Sequence, residues 1–364
     1  MTPLLKTREG RGGPLPAATA VLIVDDSAIA RAVLSRVIGS TPGFEVAECV
    51  ADVPSALRYL AGSRVGIVVL DLNMPGVSGL VGLPDILAAG RGARVLVVSS
   101  ACEDGAVATV HALALGAADT LEKPEAGGFA GKFVTTLRDR LERLAVPRPA
   151  NHAIGPPATR IPSELPSPVR EQPAPAIVAI GASTGGIHAL SQMLRAIPPG
   201  FTAPILITQH LPGSFMPYFA AQVALLANRP CDVAIDRMRV LPGRAIVAPG
   251  DAHIRCVRTS EGVAIRLHRG PTPSGCTPSA DPMFASVAEV WRERAVAVVL
   301  SGMGRDGAQG AQSVAAAGGT VLAQDRASSV VWGMPGAVAA AGIATAIANP
   351  DILGRMIVRM GAQS

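Results

Sequence analysis

Aromatic residues are scarce in this chain, at 3 % of 364 residues, so it lacks the stacking platforms that hold single-stranded nucleic acids. Lysine is scarcer still, with Lys6, Lys123 and Lys132 alone. Arginine carries the rest of the basic charge without any dense run, so the net charge of +5 marks no nucleic-acid or membrane patch. Cys49, Cys102, Cys231, Cys256 and Cys276 are scattered and form no CxxC pair. That spacing indicates neither a disulfide framework nor a zinc site. No apolar run reaches the roughly 18 residues of a membrane span. The stretch MTPLLKTREGRGG lacks the apolar core of a secretion signal. A cytoplasmic protein is expected, with no membrane insertion and no nucleic-acid partner.

What the chain does have is apolar residues, 49 % of the total against 16 % charged, a globular balance. Its length accommodates two domains with separate cores. From Val21 to about Ala145, short apolar strands (VLIVDD, FEVAECVA, GIVVLD, RVLVVSS, ADTLEK) alternate with helical stretches. This βα alternation predicts a parallel sheet covered on both faces. A segment follows that is too Pro-rich for a packed element and reads as an extended, semi-rigid linker. A second α/β unit then runs through IVAIGAS, APILITQHL, RAIVAPGD, AVAVVLSG and TVLAQD, with a hairpin, HIRCVRTSEGVAIRLHRG, inserted and an Ala-rich helical end. The expected division is a flexible extension over 1–19, a first domain over 20–145, a linker over 146–175 and a second domain over 176–364. Both domains should be α/β, with doubly wound parallel sheets.

In the first domain, Asp25 and Asp26 follow VLIV and Asp71 follows GIVVL. Strand C-termini of an open parallel sheet line its ligand crevice. Carboxylates gathered there repel one another unless a divalent cation holds them, and oxygen ligands with room for water suit Mg²⁺. Lys123, after the fifth strand, and Ser99, ending the fourth, stand where a cation and a hydroxyl could meet a phosphoryl group. Singly, each has a plainer explanation: Asp26 or Ser27 as a helix cap, Lys123 as a surface charge. Together, VLIVDDS, VVLDLNMPGVSG, VVSS and EKP resemble response-regulator receiver domains over the whole domain, which implies a flavodoxin-like fold. The resemblance further implies an aspartyl-phosphate on Asp71 and Mg²⁺ held by Asp25, Asp26, Asp71 and the backbone of Asn73. Ser99 would be the switch hydroxyl, Lys123 the phosphate partner, and a chemotaxis histidine kinase the phosphodonor. Receivers usually carry an aromatic residue three positions before this lysine. Here that position is Thr120, which leaves the rotating-aromatic part of the switch open.

In the second domain, IVAIGASTGGIHAL places Ser183 in a Gly-rich turn between strand and helix, and GASTG fits the G-x-S-x-G nucleophile elbow. The helix N-terminus beyond it offers N–H groups to a developing oxyanion. A serine nucleophile needs a base, and the base an orienting carboxylate. His210, ending ILITQH, is the best-placed base and His253 the second choice. His188 reads as a surface or packing residue, and His111, His152 and His268 lie in the first domain, the linker and the hairpin. Asp306, on the glycine turn of VVLSGMGRDG, is the candidate carboxylate. Two alternatives attach to these motifs. Ser183 could cap its helix, and GMGRDG with Asp325 fits a dinucleotide fingerprint, although Asp306 would then stand where a pyrophosphate belongs.

IGASTGG, QHLPGSF, VAPGDAHI, TPSADPMF, LSGMGRDG and AQDRASSVVWGMPG resemble, in order and over nearly the whole second domain, the catalytic domain of chemotaxis protein-glutamate methylesterases, the CheB family. That resemblance implies a Rossmann-like esterase domain with Ser183 as nucleophile, His210 as base and Asp306 as orienter. Met303 would contribute a backbone N–H to the oxyanion hole and Thr184 would line the site. It also implies hydrolysis of glutamyl methyl esters on methyl-accepting chemoreceptors, with deamidation of glutamines by the same chemistry, and no cofactor in this domain. The alternative is a non-enzymatic response regulator whose second domain only binds a partner protein.

Overall fold

In the computed structural model, which describes residues 18–99, 103–123, 131–145 and 173–362, the first α/β unit follows the expected alternation. Its elements are β1 (Thr19–Val24), α1 (Ala28–Gly39), β2 (Phe44–Val50), α2 (Val53–Gly62), β3 (Ile67–Asp71), α3 (Gly79–Ala89), β4 (Arg94–Ser99), α4 (Glu103–Leu115), β5 (Asp119–Glu122) and α5 (Lys132–Ala145). The strands pair in parallel in the order β2-β1-β3-β4-β5. Alternate side chains leave opposite faces of a strand, so Val21, Ile23, Ile67 and Val69 join one core while Leu22, Val24, Val68 and Leu70 join another. Burial on both faces is why these strands read as unbroken apolar runs. The amino-terminal extension up to residue 17 and the linker from 146 to 172 lie outside the described residues.

The second unit comprises β6 (Ile177–Ala182), α6 (Gly186–Arg195), β7 (Ile205–Gln209), α7 (Met216–Ala227), β8 (Cys231–Val233), β9 (Ala245–Val247), β10 (His253–Thr259), β11 (Gly262–His268), α8 (Ala280–Trp291), β12 (Ala295–Val299), α9 (Ala308–Ala316), β13 (Thr320–Gln324), α10 (Met334–Ala340), β14 (Ala346–Ala348) and α11 (Pro350–Ala362). A parallel sheet of seven strands runs β14-β13-β12-β6-β7-β9-β8. The expected hairpin forms a separate antiparallel pair, β10 with β11. Two edge strands depart from the sequence reading. β8 was not anticipated, and β14 interrupts the expected helical end by pairing Leu322 with Ala346. Its three residues, one Ile between two Ala, are too few to mark a strand in the sequence, and pairing to the edge of β13 makes it one.

Chain order reverses at β6, which continues to β7 on one side and has β12 on the other. Such a switch point opens a crevice at the strand C-termini. Among the described residues, no helix is long and apolar enough to cross a membrane.

Candidate active site

The structure brings the expected residues of the first domain to one end of its sheet. Carboxylate oxygens of Asp25, Asp26 and Asp71 lie within 4.8 Å of one another. Lys123 Nζ reaches Asp25 Oδ2 at 2.8 Å and Asp71 Oδ2 at 2.6 Å. Burial pushes the Asp25 carboxyl above its ordinary range against the pull of Lys123. Burial also disfavours the Lys123 charge, but hydrogen bonds to Asp25 and Asp71 outweigh it and raise the ammonium pKa. Ser27 caps α1 by accepting from the Ala30 N–H at 3.3 Å, so Asp26 is left exposed and free of that duty. Asp71 Oδ1 accepts from the Asn73 N–H at 3.1 Å. Ser99, buried at the end of β4, donates to the Gly105 carbonyl at 3.1 Å. An all-oxygen donor set with one exposed carboxylate and a single compensating ammonium fits a hard divalent cation of the Mg²⁺ kind.

In the second domain, Ser183, His210 and Asp306 follow the neighbouring strands β6, β7 and β12. Asp306, fully buried at 0 % exposure, accepts from the His210 ring at 2.8 Å through Nε2. It also accepts from Ser279 Oγ at 2.5 Å and the Ala280 N–H at 2.8 Å. Burial alone would lower the His210 pKa, but the hydrogen bond to Asp306, the neighbouring Cys276 and the Asp306 charge raise it to about 9. Burial alone would raise Asp306, yet the His210 hydrogen bond and charge bring it to about 2. Each partner therefore favours the charged form of the other.

Ser183 does not cap the helix. The cap of α6 is Gly185, which makes no side-chain hydrogen bond, so the hydroxyl is not spent on the backbone. Gly185 has φ +74°, and a Cβ there would strike Val330 at 2.5 Å, so both conformation and space demand glycine. Gly302 similarly lets the β12 loop approach: a Cβ would lie 2.8 Å from Ser183 Cβ and collide with Met334. Gly302 donates its N–H to Val331 and accepts from Gly333 and Met334. Among the described residues, the next N–H, that of Met303, has no backbone acceptor. Ser183 and His210 line one crevice, with no hydrogen bond between their side chains among the described residues.

The dinucleotide alternative fails on geometry, because Asp306 turns inward to His210. Asp325 instead ties its own turn, accepting from the Ser328 N–H at 2.7 Å. His253, the second-choice base, has both nitrogens engaged, one with the Gly270 carbonyl at 2.8 Å and one accepting from the Ser279 N–H at 2.9 Å. It supports Ser279, which supports Asp306.

Part of the site's wall comes from the first domain, which sequence reasoning did not find. Thr184 Oγ1 donates to Asp119 Oδ2 at 2.9 Å, and Arg140 pairs with the same oxygen at 2.7 Å. The Gly185 N–H donates to the Ala118 carbonyl at 2.9 Å, and the Gly186 N–H to the Ser183 carbonyl at 2.7 Å. Two N–H groups expected to be free for an oxyanion are therefore occupied. His188 packs here as well, with Nδ1 3.1 Å from the Ala114 carbonyl. Ala117, Asp119 and Arg140 share the crevice with Ser183 and His210. Asp119 carried no signal in the sequence, because its partner lies 65 residues away.

A family model described as CheB methylesterase matches residues 178–357, and one for the response regulator receiver domain matches residues 21–128. The chain is 42 % identical over 345 residues to protein-glutamate methylesterase/protein-glutamine glutaminase 2 of Caulobacter vibrioides, covering 93 % of this chain and 97 % of that protein. It is 37 % identical over 372 residues to protein-glutamate methylesterase/protein-glutamine glutaminase of group 2 operon from Bradyrhizobium diazoefficiens, covering 94 % of each. Among solved structures, the CheB methylesterase catalytic domain of Thermotoga maritima is similar with a TM-score of 0.50 and 32 % identity, over 51 % of this chain and 98 % of that one.

Proposed function

The chain belongs to the CheB family of protein-glutamate methylesterases/protein-glutamine glutaminases, and we propose that Ser183, His210 and Asp306 carry its hydrolytic chemistry. It is a hydrolase of glutamyl methyl esters, regulated by a receiver domain. In the proposed reaction, Ser183 Oγ attacks the ester carbonyl while its proton passes to His210. The tetrahedral oxyanion faces the Met303 N–H. As the intermediate collapses, the C–O bond to the methoxy group breaks and His210 returns the proton, releasing methanol. Water then attacks the acyl-serine with His210 as base, freeing glutamate and Ser183. The same acyl-enzyme formed from a glutamine side chain would release ammonia.

The substrates are read as chemoreceptors and the phosphodonor as a chemotaxis histidine kinase, with all partners meeting in the cytoplasm. Domain bounds of 20–145 and 176–364, with an extension before and a linker between, suit this division of labour. Asp25, Asp26, Asp71 and the Asn73 carbonyl would hold Mg²⁺, which supplies charge neutralisation for phosphoryl transfer to Asp71. Ser99 and Lys123 then meet the phosphoryl oxygens. Before phosphorylation, Ala118, Asp119 and Arg140 restrict the approach to Ser183, with Thr184 held by Asp119.

The observation that carries this reading is the His210–Asp306 pair at 2.8 Å beside an uncapped serine. Methanol release from methylated receptor membranes tests it. Ser183→Ala should lose several orders of magnitude in turnover with an unchanged melting temperature, since no cap is removed. Asp306→Asn should lose somewhat less, and the double variant scarcely more than Ser183→Ala alone. Near-normal turnover in folded Ser183→Ala would overturn the assignment.

A further inference from the structure

Cys276 has no part in the reaction above, yet its thiol stands beside the general base. One ligand atom each from His210, Cys276 and Asp306 fall within 4.8 Å of one another. We propose that these three side chains form a site for a thiophilic divalent cation, zinc above all, and that its binding shuts off hydrolysis.

Nitrogen, sulfur and oxygen donors from three residues, with a fourth position left to water, are the donor set of an open zinc site. Tetrahedral bonds of about 2.0 Å to nitrogen and oxygen require these atoms about 3.3 Å apart. His210 Nε2 and Asp306 Oδ2 stand at 2.8 Å, so the ring must retreat by only about half an ångström to admit the ion.

The surroundings are built to hold such ligands. Ser279 Oγ and the Ala280 N–H grip the Asp306 carboxylate from behind, the outer-shell support typical of ligating carboxylates. The Cys276 carbonyl accepts from Thr272 Oγ1 at 3.2 Å, and its N–H donates to Ser274 Oγ at 3.4 Å. Ser274 Oγ in turn lies 3.4 Å from Ser279 Oγ, so one turn fixes both thiol and carboxylate. The His210 side chain is 16 % exposed and Cys276 is partly exposed, which gives the ion a way in. Mg²⁺ is too hard for the thiolate and prefers the all-oxygen cluster at Asp71. The two cation sites therefore separate by chemistry.

Binding requires thiolate and neutral imidazole, so it releases their protons to solvent. A bound ion takes the ring nitrogen and carboxylate oxygen that form the pair, leaving His210 unable to accept the Ser183 proton. Only this inhibition rests on the triad assignment; ion binding does not.

The test uses full-length, chelator-treated protein in excess Mg²⁺. Co²⁺ is added as a spectroscopic substitute and Zn²⁺ is titrated by calorimetry, beside Cys276→Ala and Cys276→Ser. Wild type should bind one Zn²⁺ per chain and show a thiolate-to-cobalt charge-transfer band. Both variants should lose the band and bind Zn²⁺ at least about tenfold more weakly. Each protein's methanol release, relative to its own metal-free rate, should be inhibited by Zn²⁺ in wild type and spared in the variants. Absence of the cobalt band in wild type, or its persistence in both variants, overturns the proposal. Binding without inhibition would leave the site standing and count against the triad instead.

Discussion

As the proposed base, His210 must be neutral to take a proton, yet its partners raise its pKa to about 9. Turnover of chelator-treated protein should therefore climb between pH 7 and about 9 and level off above, as the imidazolium gives way to the base. Replacing Asp306 with Asn removes the strongest raising partner, so the limb should move to lower pH at reduced height. The same pair affects stability with a definite sign. A raised histidine pKa contributes stability that is complete below about 6.5, the unfolded value, and is lost as pH rises through about 9. The Asp306 contribution, present above about 3.9, is lost as pH falls through about 2. Asp281, raised to about 6 by burial and by the neighbouring Asp306 carboxylate against the Gly310 N–H that donates to it, titrates together with Asp306 on the acid side. A profile flat from pH 7 to 9 would show that no catalytic base titrates in that range.

At the scale of elements, β5 connects two sites. Asp119 at its start holds Thr184 of the catalytic domain, while Lys123 just beyond its end holds Asp71 and Asp25. If Asp71 takes the phosphoryl group as proposed, that group would compete for Lys123, and the Thr184 contact lies only a strand of four residues away. A hydrogen bond to a charged group contributes about 1.5–3 kcal/mol, and 1.4 kcal/mol is tenfold in population. Asp119→Ala should accordingly raise the unphosphorylated rate about tenfold, with little effect once a phosphodonor is present. Methanol release with and without phosphodonor checks this. An unchanged basal rate in a folded variant would leave Asp119 a packing residue only.

For the whole molecule, the decisive feature is how the cores divide. One cluster, from Ile177 to Val338, lies entirely in the catalytic domain, beneath a complete sheet of seven strands. A second cluster runs from Leu22 and Val110 of the receiver into Ile187 and Phe215, so the domains share apolar contact as well as the Asp119 bridge. A fragment of residues 174–364 should fold alone and hydrolyse faster than the intact unphosphorylated chain. A fragment no faster would point to activation by direct contact. Asp71→Asn should abolish Mg²⁺-dependent labelling by a phosphodonor and hold the full chain at its basal rate. Retained labelling would move the acceptor elsewhere.

The alternation of strands and helices was legible along the chain, because burial on both faces writes the central strands as apolar runs. So were the residues that close those strands, which placed Asp25, Asp26, Asp71 and Lys123 at the strand C-termini of the first sheet and Ser183, His210 and Asp306 at those of the second. These are local properties, set within a strand and its following turn. What depends on distant partners emerged only in the folded molecule. β14 became a strand because β13 had a free edge, and His253 lost the role of base because Gly270 and Ser279 use both its nitrogens. Cys276 reached His210 with no spacing motif to announce it, since the side chains it meets lie on other loops. The receiver's share of the catalytic crevice was equally hidden. Asp119 and Thr184 meet only after two sheets have formed and docked, and no periodicity along the chain encodes a contact between folded surfaces.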